Sequence, residues 1–280
     1  MIIDVFLYCG EAEMAKVRVR ELTPYVDLFL LAEADFTFSG LERKLSFPAV
    51  LEELRSLARL YRPARPPRIV AFPLLRDSAE GRELEKGCPD PWAREAFCRD
   101  QPRREVQRLL AESGAANRKD DLIFVSDCDE IPDFRRLDKQ SLPRKLRERG
   151  PLCLSMDFYY YNFSSRKKSQ WPGTLVVSGS QLDLSWEDLR RRRAELPSLP
   201  SGWHLSYFMS PERMAEKIRG FSHQEFNLPG LNEPAVLAER VARKQDVFGR
   251  GHWEDLLAVD PLKVTLPRTY FYFPGYMKGE

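Results

Sequence analysis

The sequence has few of the residues that build metal clusters and disulfide frameworks. Its 280 residues include only three histidines and five cysteines, and no two cysteines form a C-x-x-C pair. Neither a structural zinc site nor a disulfide-stapled scaffold is therefore predicted. The scattered and odd-numbered cysteines favour a protein that works in a reducing compartment.

Long apolar runs and an excess of charge of one sign are also missing. No apolar stretch reaches the roughly 20 residues that a membrane-spanning helix needs, and the first residues lack the basic and apolar regions of a signal peptide. Lys and Arg number 44 against 42 Asp and Glu, which leaves a formal charge of +2. So small a charge gives no reason to expect binding to nucleic acid or to an anionic membrane. We expect a soluble, cytoplasmic protein without an integral membrane segment.

Apolar runs alternate with segments of helical spacing along the first half of the chain. Residues 2–8, 26–34 and 68–74 are short, β-branched and aromatic runs that predict strands, and residues 48–61 have the spacing of a helix face. This alternation predicts an α/β fold with a mainly parallel central sheet flanked by helices. The aromatic run at residues 152–163 predicts a more mixed sheet in the C-terminal part.

Several segments are interpreted from their turn residues and charges. Residues 77–91 are polar and turn-rich, which predicts an exposed loop that could act as a lid. Residues 92–113 predict a basic helix that Pro102 should break or kink. Residues 197–202 predict a linker, and the four arginines at residues 190–193 predict a solvated helix surface.

The clearest chemical signal is F-V-S-D-C-D-E-I-P at residues 124–132, an apolar strand that runs into three carboxylates. Alternate residues of a strand point the same way, so Asp127 and Asp129 are predicted to share a face while Glu130 points elsewhere. Two close carboxylates repel each other, and their hard oxygens suit a Mn²⁺ or Mg²⁺ ion that bridges to a substrate phosphate. Ligands of open α/β sheets bind beyond the carboxyl ends of strands, where this motif would fall. The alternative is an acidic turn that caps the next helix.

Two further motifs hold candidate groups for proton transfer. They are G-W-H-L-S-Y-F at residues 202–208 and F-S-H-Q-E-F-N at residues 221–227. Strand alternation allows His204 to project into a polar site, and Glu225 is a candidate general base. Each of the two histidines, His204 and His223, could equally be a satisfied core residue or a hydrogen-bond donor in a loop.

Together these motifs resemble glycosyltransferase family 17. The likeness spans nearly the whole chain and also rests on F-L-Y-C-G-E at residues 6–11 and E-A-D-F-T-F-S-G at residues 33–40. It implies a single domain with a GT-A-like nucleotide-sugar-binding fold, in which residues up to about 132 bind the nucleotide and the rest face the acceptor. It also implies an inverting, Mn²⁺-dependent transferase that moves a sugar such as N-acetylglucosamine from a UDP-sugar to a glycan, glycolipid or protein acceptor.

The resemblance also implies roles for individual residues. Asp127 and Asp129 match the metal-binding Asp-x-Asp of the family, and His223 is taken as a third metal ligand. Asp129, His204 and Glu225 are the candidates for the catalytic groups. Aromatic residues of the second half could stack on sugar rings or belong to the core: Tyr159, Tyr160, Trp203 and Tyr207.

The donor-binding residues are expected at the ends of the first strands. Glu11 and Glu33 end the first two strands, and Asp127 ends the acidic strand. Arg94 and Arg99 lie just before that strand, where arginine forks suit a diphosphate, although their spacing also fits a solvent-facing helix.

Two other functions remain open from the sequence. In some metal-dependent phosphatases and phosphotransferases, the active site also begins with an apolar strand that ends in Asp-x-Asp. In those enzymes a small residue and a threonine or valine follow the second aspartate, whereas Glu130 and Ile131 follow it here. The second alternative is a degenerate, non-catalytic domain that binds carbohydrate.

Overall fold

Strands and helices alternate through the first half of the chain, as the hydrophobic pattern predicts. The computed structural model describes residues 1–113, 118–250 and 256–278. The elements of the first half are β1 (Ile2–Leu7), α1 (Ala12–Leu22), β2 (Leu28–Ala34), α2 (Phe47–Tyr61), β3 (Arg68–Leu74), α3 (Ala79–Lys86), α4 (Pro91–Glu112), β4 (Leu122–Asp127) and β5 (Glu130–Ile131).

The second half contains longer strands and shorter helices. Its elements are α5 (Leu142–Arg149), β6 (Leu152–Tyr160), β7 (Asn162–Arg166), β8 (Trp171–Ser178), α6 (Trp186–Arg191), β9 (Ser198–Ser206), α7 (Pro211–Gly220), α8 (Pro234–Ala242), β10 (Leu257–Ala258) and α9 (Gly275–Lys278).

One sheet joins the two halves in the strand order β10-β7-β6-β8-β4-β1-β2-β3. The strands β4, β1, β2 and β3 run parallel to their neighbours in this group. Beyond β4 the sheet becomes mixed, because β8 is antiparallel to both β4 and β6 while β9 is parallel to β6. The prediction of an α/β fold with a mainly parallel central sheet and a mixed C-terminal part is confirmed.

The continuous apolar runs of the central strands reflect burial on both faces of the sheet. Phe6 of β1 packs in one cluster with Val17 of α1 and Leu54 of α2. Its neighbour Val5 points the other way and packs in a second cluster with Val106 of α4. Strands covered by helices on both sides lack polar alternation for this reason.

The predicted loop at residues 77–91 contains a helix, so this prediction is wrong in part. Ser78 accepts a hydrogen bond from the backbone N–H of Gly81 at 3.0 Å and caps the start of α3. The helix is short and its exposed face is polar, so its composition resembles that of a loop.

Pro102 does not break the helix that contains it, so the predicted break is wrong. The helix α4 runs without interruption from Pro91 to Glu112, and Pro102 is buried within it. Buried residues of the flanking turns, Cys98 and Val106, fix the helix against the rest of the protein, and such packing overrides propensity. Within the described ranges, no helix combines the length and apolar character needed to cross a membrane.

The predicted linker at residues 197–202 lies almost entirely in strand β9. Pro200 pairs with Ser155 of β6 next to a register irregularity, where a missing N–H donor is tolerated. Gly202 has a φ of 92°, and a Cβ at this position would lie 2.4 Å from the carbonyl oxygen of Ile131. Pro200 and Gly202 therefore lie where β9 packs closely against β6 and β5, and they do not mark a linker between two domains.

Candidate active site

The carboxyl ends of β1 and β4 bring acidic residues to one edge of the sheet. Leu7 at the end of β1 pairs with Asp127 at the end of β4. Glu11 follows β1 after Gly10, whose φ of 89° is easily adopted only by glycine. In open α/β sheets this edge is the one at which ligands bind.

Asp127 carries a carboxylate held between two arginines. Its Oδ2 lies 2.8 Å from Nη2 of Arg190, and its Oδ1 lies 3.4 Å from Nη2 of Arg99. Burial acts to raise the pKa of Asp127, but the charges of Arg190 and Arg99 outweigh it and hold the pKa well below its ordinary value. Because 32% of the side chain is exposed, an ionised carboxylate is accessible to a ligand at the edge.

Asp129 lies on the turn after β4 and faces different groups. Since β4 ends at Asp127, the strand alternation that placed both aspartates on one face does not extend to Asp129. Its Oδ2 is 3.4 Å from Nζ of Lys217, and its Oδ1 is 3.7 Å from Nδ1 of His204. Nζ of Lys217 is also 3.9 Å from Oε1 of Glu11. Glu11 and Asp129 therefore share one ammonium group.

Glu130 points into the protein and anchors Arg190, which it shares with Asp127. Its Oε1 accepts hydrogen bonds from Nε1 of Trp171 and Nη2 of Arg190, both at 2.6 Å. Its Oε2 accepts from Nη1 of Arg190 at 2.8 Å. The prediction of a solvated surface at residues 190–193 is wrong for Arg190, whose side chain is only 6% exposed. A buried carboxylate needs a hydrogen-bonded counter-ion, and Arg190 provides it.

Arg18 of α1 supports the acidic turn from within the core. The fully buried guanidinium forms a bidentate pair with Asp4 of β1, with both N–O distances at 2.7 Å. It also donates to Oγ of Ser126 at 2.6 Å and to the carbonyl oxygens of Asp127 and Glu130 at 3.1 and 2.7 Å. One side chain thus fixes the backbone that carries both aspartates.

Glu33 lies at the end of β2 but is occupied by the start of α2. Its oxygens accept hydrogen bonds from the N–H of Ser46 at 2.8 Å, from Oγ of Ser46 at 2.6 Å and from the N–H of Phe47 at 2.7 Å. It also pairs with Arg43. The structure therefore places this predicted donor-binding residue as a buried cap on free helix N–H groups.

Of the two arginines predicted to bind the donor, Arg99 reaches the acidic edge. Besides Asp127, it pairs with Glu187 at 3.3 Å. Arg94 instead pairs with Glu85 through Nε at 3.2 Å and packs closely against Gly40. Both residues belong to α4, but only Arg99 contacts a predicted site residue.

His204 lies in β9 with its ring directed at the acidic turn. The ring stacks on Trp171 with centroids 4.6 Å apart and meets the edge of Phe158 at 4.8 Å. Burial lowers the pKa of His204 in spite of the neighbouring carboxylates, which favours the neutral ring. Nδ1 is buried, lies 3.7 Å from Oδ1 of Asp129 and has no hydrogen-bond partner among the described residues.

His223 and Glu225 form a separate pair on the surface. Nδ1 of His223 lies 2.6 Å from Oε1 of Glu225, and the two side chains are 47% and 56% exposed. The His223 ring meets the edge of Trp92 at 4.5 Å. The hydrogen bond from His223 lowers the pKa of Glu225, which weakens it as a base. Within the described residues, this pair forms no hydrogen bond or ion pair with Asp127 or Asp129.

The aromatic residues considered for sugar stacking belong to the core. All four are buried: Tyr159, Tyr160, Trp203 and Tyr207. The indole N–H of Trp203 donates to the carbonyl oxygen of Thr265 at 2.9 Å, as buried tryptophans usually require. The structure thus favours the core interpretation for each of them.

The acidic edge offers donors for a divalent cation but no complete protein cage. In the described part of the chain, no three His, Cys, Asp or Glu side chains lie in an arrangement that could hold a metal, so His223 does not complete a site with Asp127 and Asp129. Ions such as Mg²⁺ are, however, often held by one or two carboxylates together with substrate phosphates. Asp127 and Asp129 are carboxylates of this kind, and the remaining ligands of such an ion would come from the substrate.

Three cations of this site were not found from the sequence. Arg18 left a weak signal, because it shares the helix face of Met14 and Val17 and faces Asp4, a charge within an apolar strand. Arg190 belongs to a run of four arginines, and the sequence pattern does not show which of the four is buried. Lys217 left no signal.

Comparison with known proteins finds one family model and 33 chains of solved structures. The model of "Glycosyltransferase family 17" matches residues 1–252. Among the solved structures that match is one described as "Crystal structure of S. aureus TarS 1-349", with 12% identity and a TM-score of 0.36. The match covers 78% of this chain and 64% of that chain, so the chain spans less than two thirds of its length. No curated protein matches the chain significantly.

Proposed function

Because the chain belongs to glycosyltransferase family 17, we propose that it transfers N-acetylglucosamine from a UDP-sugar to a hydroxyl group of a glycan, a glycolipid or a protein. Membership confirms the resemblance drawn from the motifs and makes the chain a glycosyltransferase. The donor, the acceptor, the GT-A-like inverting mechanism, the metal and a cytoplasmic location belong to the proposal. The observation that carries it is that Glu11, Asp127 and Asp129 meet at the carboxyl edge of the sheet beside Arg99 and Lys217.

The charges at this edge suit a donor diphosphate. Asp127 and Asp129 would hold Mn²⁺ or Mg²⁺, which when bound supplies positive charge to the leaving diphosphate. Arg99 and Lys217 stand beside these aspartates, at 3.4 Å in each case. Arginine forks and the lysine point charge are common phosphate ligands, so both side chains would bind and orient the diphosphate.

Asp129 is assigned to the metal on the leaving-group side of the sugar. A single displacement also needs a base on the opposite side, which this assignment leaves to a group other than Asp129. Of the three candidate catalytic residues, Asp129 and His204 lie together, with 3.7 Å between Oδ1 and Nδ1. Glu225 is engaged with His223 on the surface. His204, fixed by its stack on Trp171, would orient the Asp129 carboxylate.

Release of UDP from a panel of UDP-sugars, with Mn²⁺ and with a chelator, tests this function. We expect metal-dependent release that favours one sugar and is lost in Asp127→Ala. The variant should keep its fold, because Arg190 retains both hydrogen bonds to Glu130. Undiminished release in Asp127→Ala would refute the assignment of Asp127. Binding of UDP without release, even with candidate acceptors, would favour a non-catalytic carbohydrate-binding domain.

A further inference from the structure

Lys217 lies between the carboxylates of Glu11 and Asp129 at the acidic edge. Its Nζ is 3.4 Å from Oδ2 of Asp129 and 3.9 Å from Oε1 of Glu11. The side chain is 29% exposed, so it lies at the mouth of the site. Burial acts to lower the pKa of Lys217, but the two carboxylates outweigh it and raise the pKa, which keeps the ammonium charged.

The helix that carries Lys217 is fixed across the ends of the first strands. Near its start, Nη2 of Arg213 donates to the carbonyl oxygen of Gly10 at 3.0 Å. At its end, the carbonyl oxygen of Gly220 accepts from the N–H of Ser39 at 3.1 Å. The backbone of α7 is thus held on both sides of Lys217, and only the flexible lysine side chain is left to move.

The contacts around Asp129 are looser than those of a closed ion pair. Charge-assisted N–H···O bonds are usually about 2.7–2.9 Å long, whereas Lys217 stands at 3.4 and 3.9 Å from its carboxylates. On the other side of Asp129, Nδ1 of His204 is buried and has no hydrogen-bond partner among the described residues. This nitrogen belongs to a side chain that is only 8% exposed and lies 3.7 Å from Asp129. The carboxylate oxygens of Asp129 and Nδ1 of His204 are therefore still able to bind another group beside Lys217.

We propose that Lys217 is a built-in counter-ion that competes with the divalent cation for Asp129. The proposal rests on the proposed function. Without donor, Lys217 neutralises the two carboxylates and keeps metal affinity low. A bound diphosphate gives Lys217 an alternative anionic partner and adds phosphate oxygens as metal ligands. Metal and donor therefore bind cooperatively, and by linkage each raises the affinity of the other by the same factor.

Binding of Mn²⁺, followed by the electron paramagnetic resonance signal of the free ion with and without UDP, tests this proposal without measuring turnover. We expect Lys217→Met to bind Mn²⁺ alone at least about tenfold more tightly than the natural protein, which is about 1.4 kcal/mol. UDP should then tighten Mn²⁺ binding less in Lys217→Met than in the natural protein. Lys217→Gln is a second uncharged variant with the same expectation, and each variant is checked for its thermal transition.

Two variants serve as controls for charge. Lys217→Arg keeps the cation and should bind Mn²⁺ alone within about twofold of the natural protein. Arg219→Met removes a positive charge from an exposed residue of the same helix and should also leave Mn²⁺ affinity unchanged. If Arg219→Met tightened Mn²⁺ binding as much as Lys217→Met does, the effect would come from net charge alone. That result would overturn the proposal.

Unchanged or weaker Mn²⁺ binding in the folded Lys217→Met and Lys217→Gln variants would also overturn the competition. The proposed function is judged separately by UDP release in Asp127→Ala. If no form of the protein binds Mn²⁺ even with UDP, the competition is refuted. If UDP release then persisted in the presence of a chelator, the protein would still be a transferase, but one that works without a metal.

Discussion

Arg190 and Arg191 are adjacent residues whose environments predict losses of stability of very different size. Arg190→Met leaves the buried carboxylate of Glu130 without its counter-ion, and we expect the free energy of unfolding to fall by about 3–5 kcal/mol. Arg191→Met removes a side chain that is 61% exposed and pairs with Glu187, which should cost at most about 1 kcal/mol. Urea denaturation of the two variants measures both values.

The double variant Arg190→Met/Glu130→Gln provides the control for this comparison. It removes the uncompensated charge as well as its partner, so part of the lost stability should return. Equal destabilisation by Arg190→Met and Arg191→Met would contradict a buried pair. The sequence did not separate these arginines, because four in a row occupy every side of a helix and the buried one is chosen by Glu130, which lies 60 positions away.

Asp129 and Glu225 are two candidate catalytic residues that turnover can distinguish. Asp129→Asn should lower kcat by at least about 100-fold, since it weakens the hold on a metal that would stabilise the leaving diphosphate by several kcal/mol. Glu225→Gln should keep kcat within about threefold, because Glu225 is exposed and its pKa is lowered by His223. The measurement is UDP formation at saturating donor and acceptor. A larger loss in Glu225→Gln than in Asp129→Asn would reverse the assignment.

The placement of Asp127 could be predicted from the sequence, whereas its surroundings could not. An apolar strand followed by carboxylates fixes the position of Asp127 at a sheet edge, because parallel strands end together. The strand ends at Asp127 itself, so the alternation of side chains along a strand no longer sets the direction of Asp129. The Asp129 side chain faces Lys217. Lys217 follows 88 positions after Asp129, and only the fold brings them together.

At the scale of elements, α1 is coupled to the turn after β4 through Arg18. Arg18→Lys keeps a charge opposite Asp4 but lacks the fork that reaches the carbonyl oxygens of Asp127 and Glu130. We expect kcat to fall at least about tenfold, because small displacements of catalytic groups are costly. The KM for the donor should change little. Steady-state kinetics of Arg18→Lys separates the two parameters.

The matched variant is Arg18→Met, which also leaves Asp4 buried without a partner. It should lose more stability in urea than Arg18→Lys does. A purely structural role for Arg18 would predict that a folded Arg18→Lys protein has the natural kcat. That outcome would remove Arg18 from the positioning of the acidic turn.

The elements that the sequence predicted wrongly have different physical causes. Periodicity identified β1 and β2 because both of their faces are buried. Breaker residues misled the prediction at Pro102 in α4 and Pro200 in β9, where tertiary contacts retain them, whereas α3 begins at a local cap, Ser78. Local preferences of this size are overridden when neighbouring elements supply the packing.

At the scale of the molecule, the predicted nucleotide-binding half depends on the other half. Strand β4 pairs with β8, and β5 pairs with β9, so the sheet crosses the predicted boundary near residue 132 twice. Arg190, His204 and Lys217 all lie beyond that boundary and contact Asp127 or Asp129. The acidic edge is therefore assembled by the whole sheet.

A fragment of residues 1–132 should for this reason fail to fold. It would expose the edge of β4 that β8 covers and would leave Glu130 without Arg190, and unpaired buried groups are costly. The whole chain should unfold in one step, with coincident urea transitions by tryptophan fluorescence and far-ultraviolet circular dichroism. Trp171, Trp186 and Trp203 report on the second half in this experiment, since all three lie after the boundary. A fragment that unfolds cooperatively and binds UDP, or two separate transitions of the whole chain, would instead establish the first half as an independent unit.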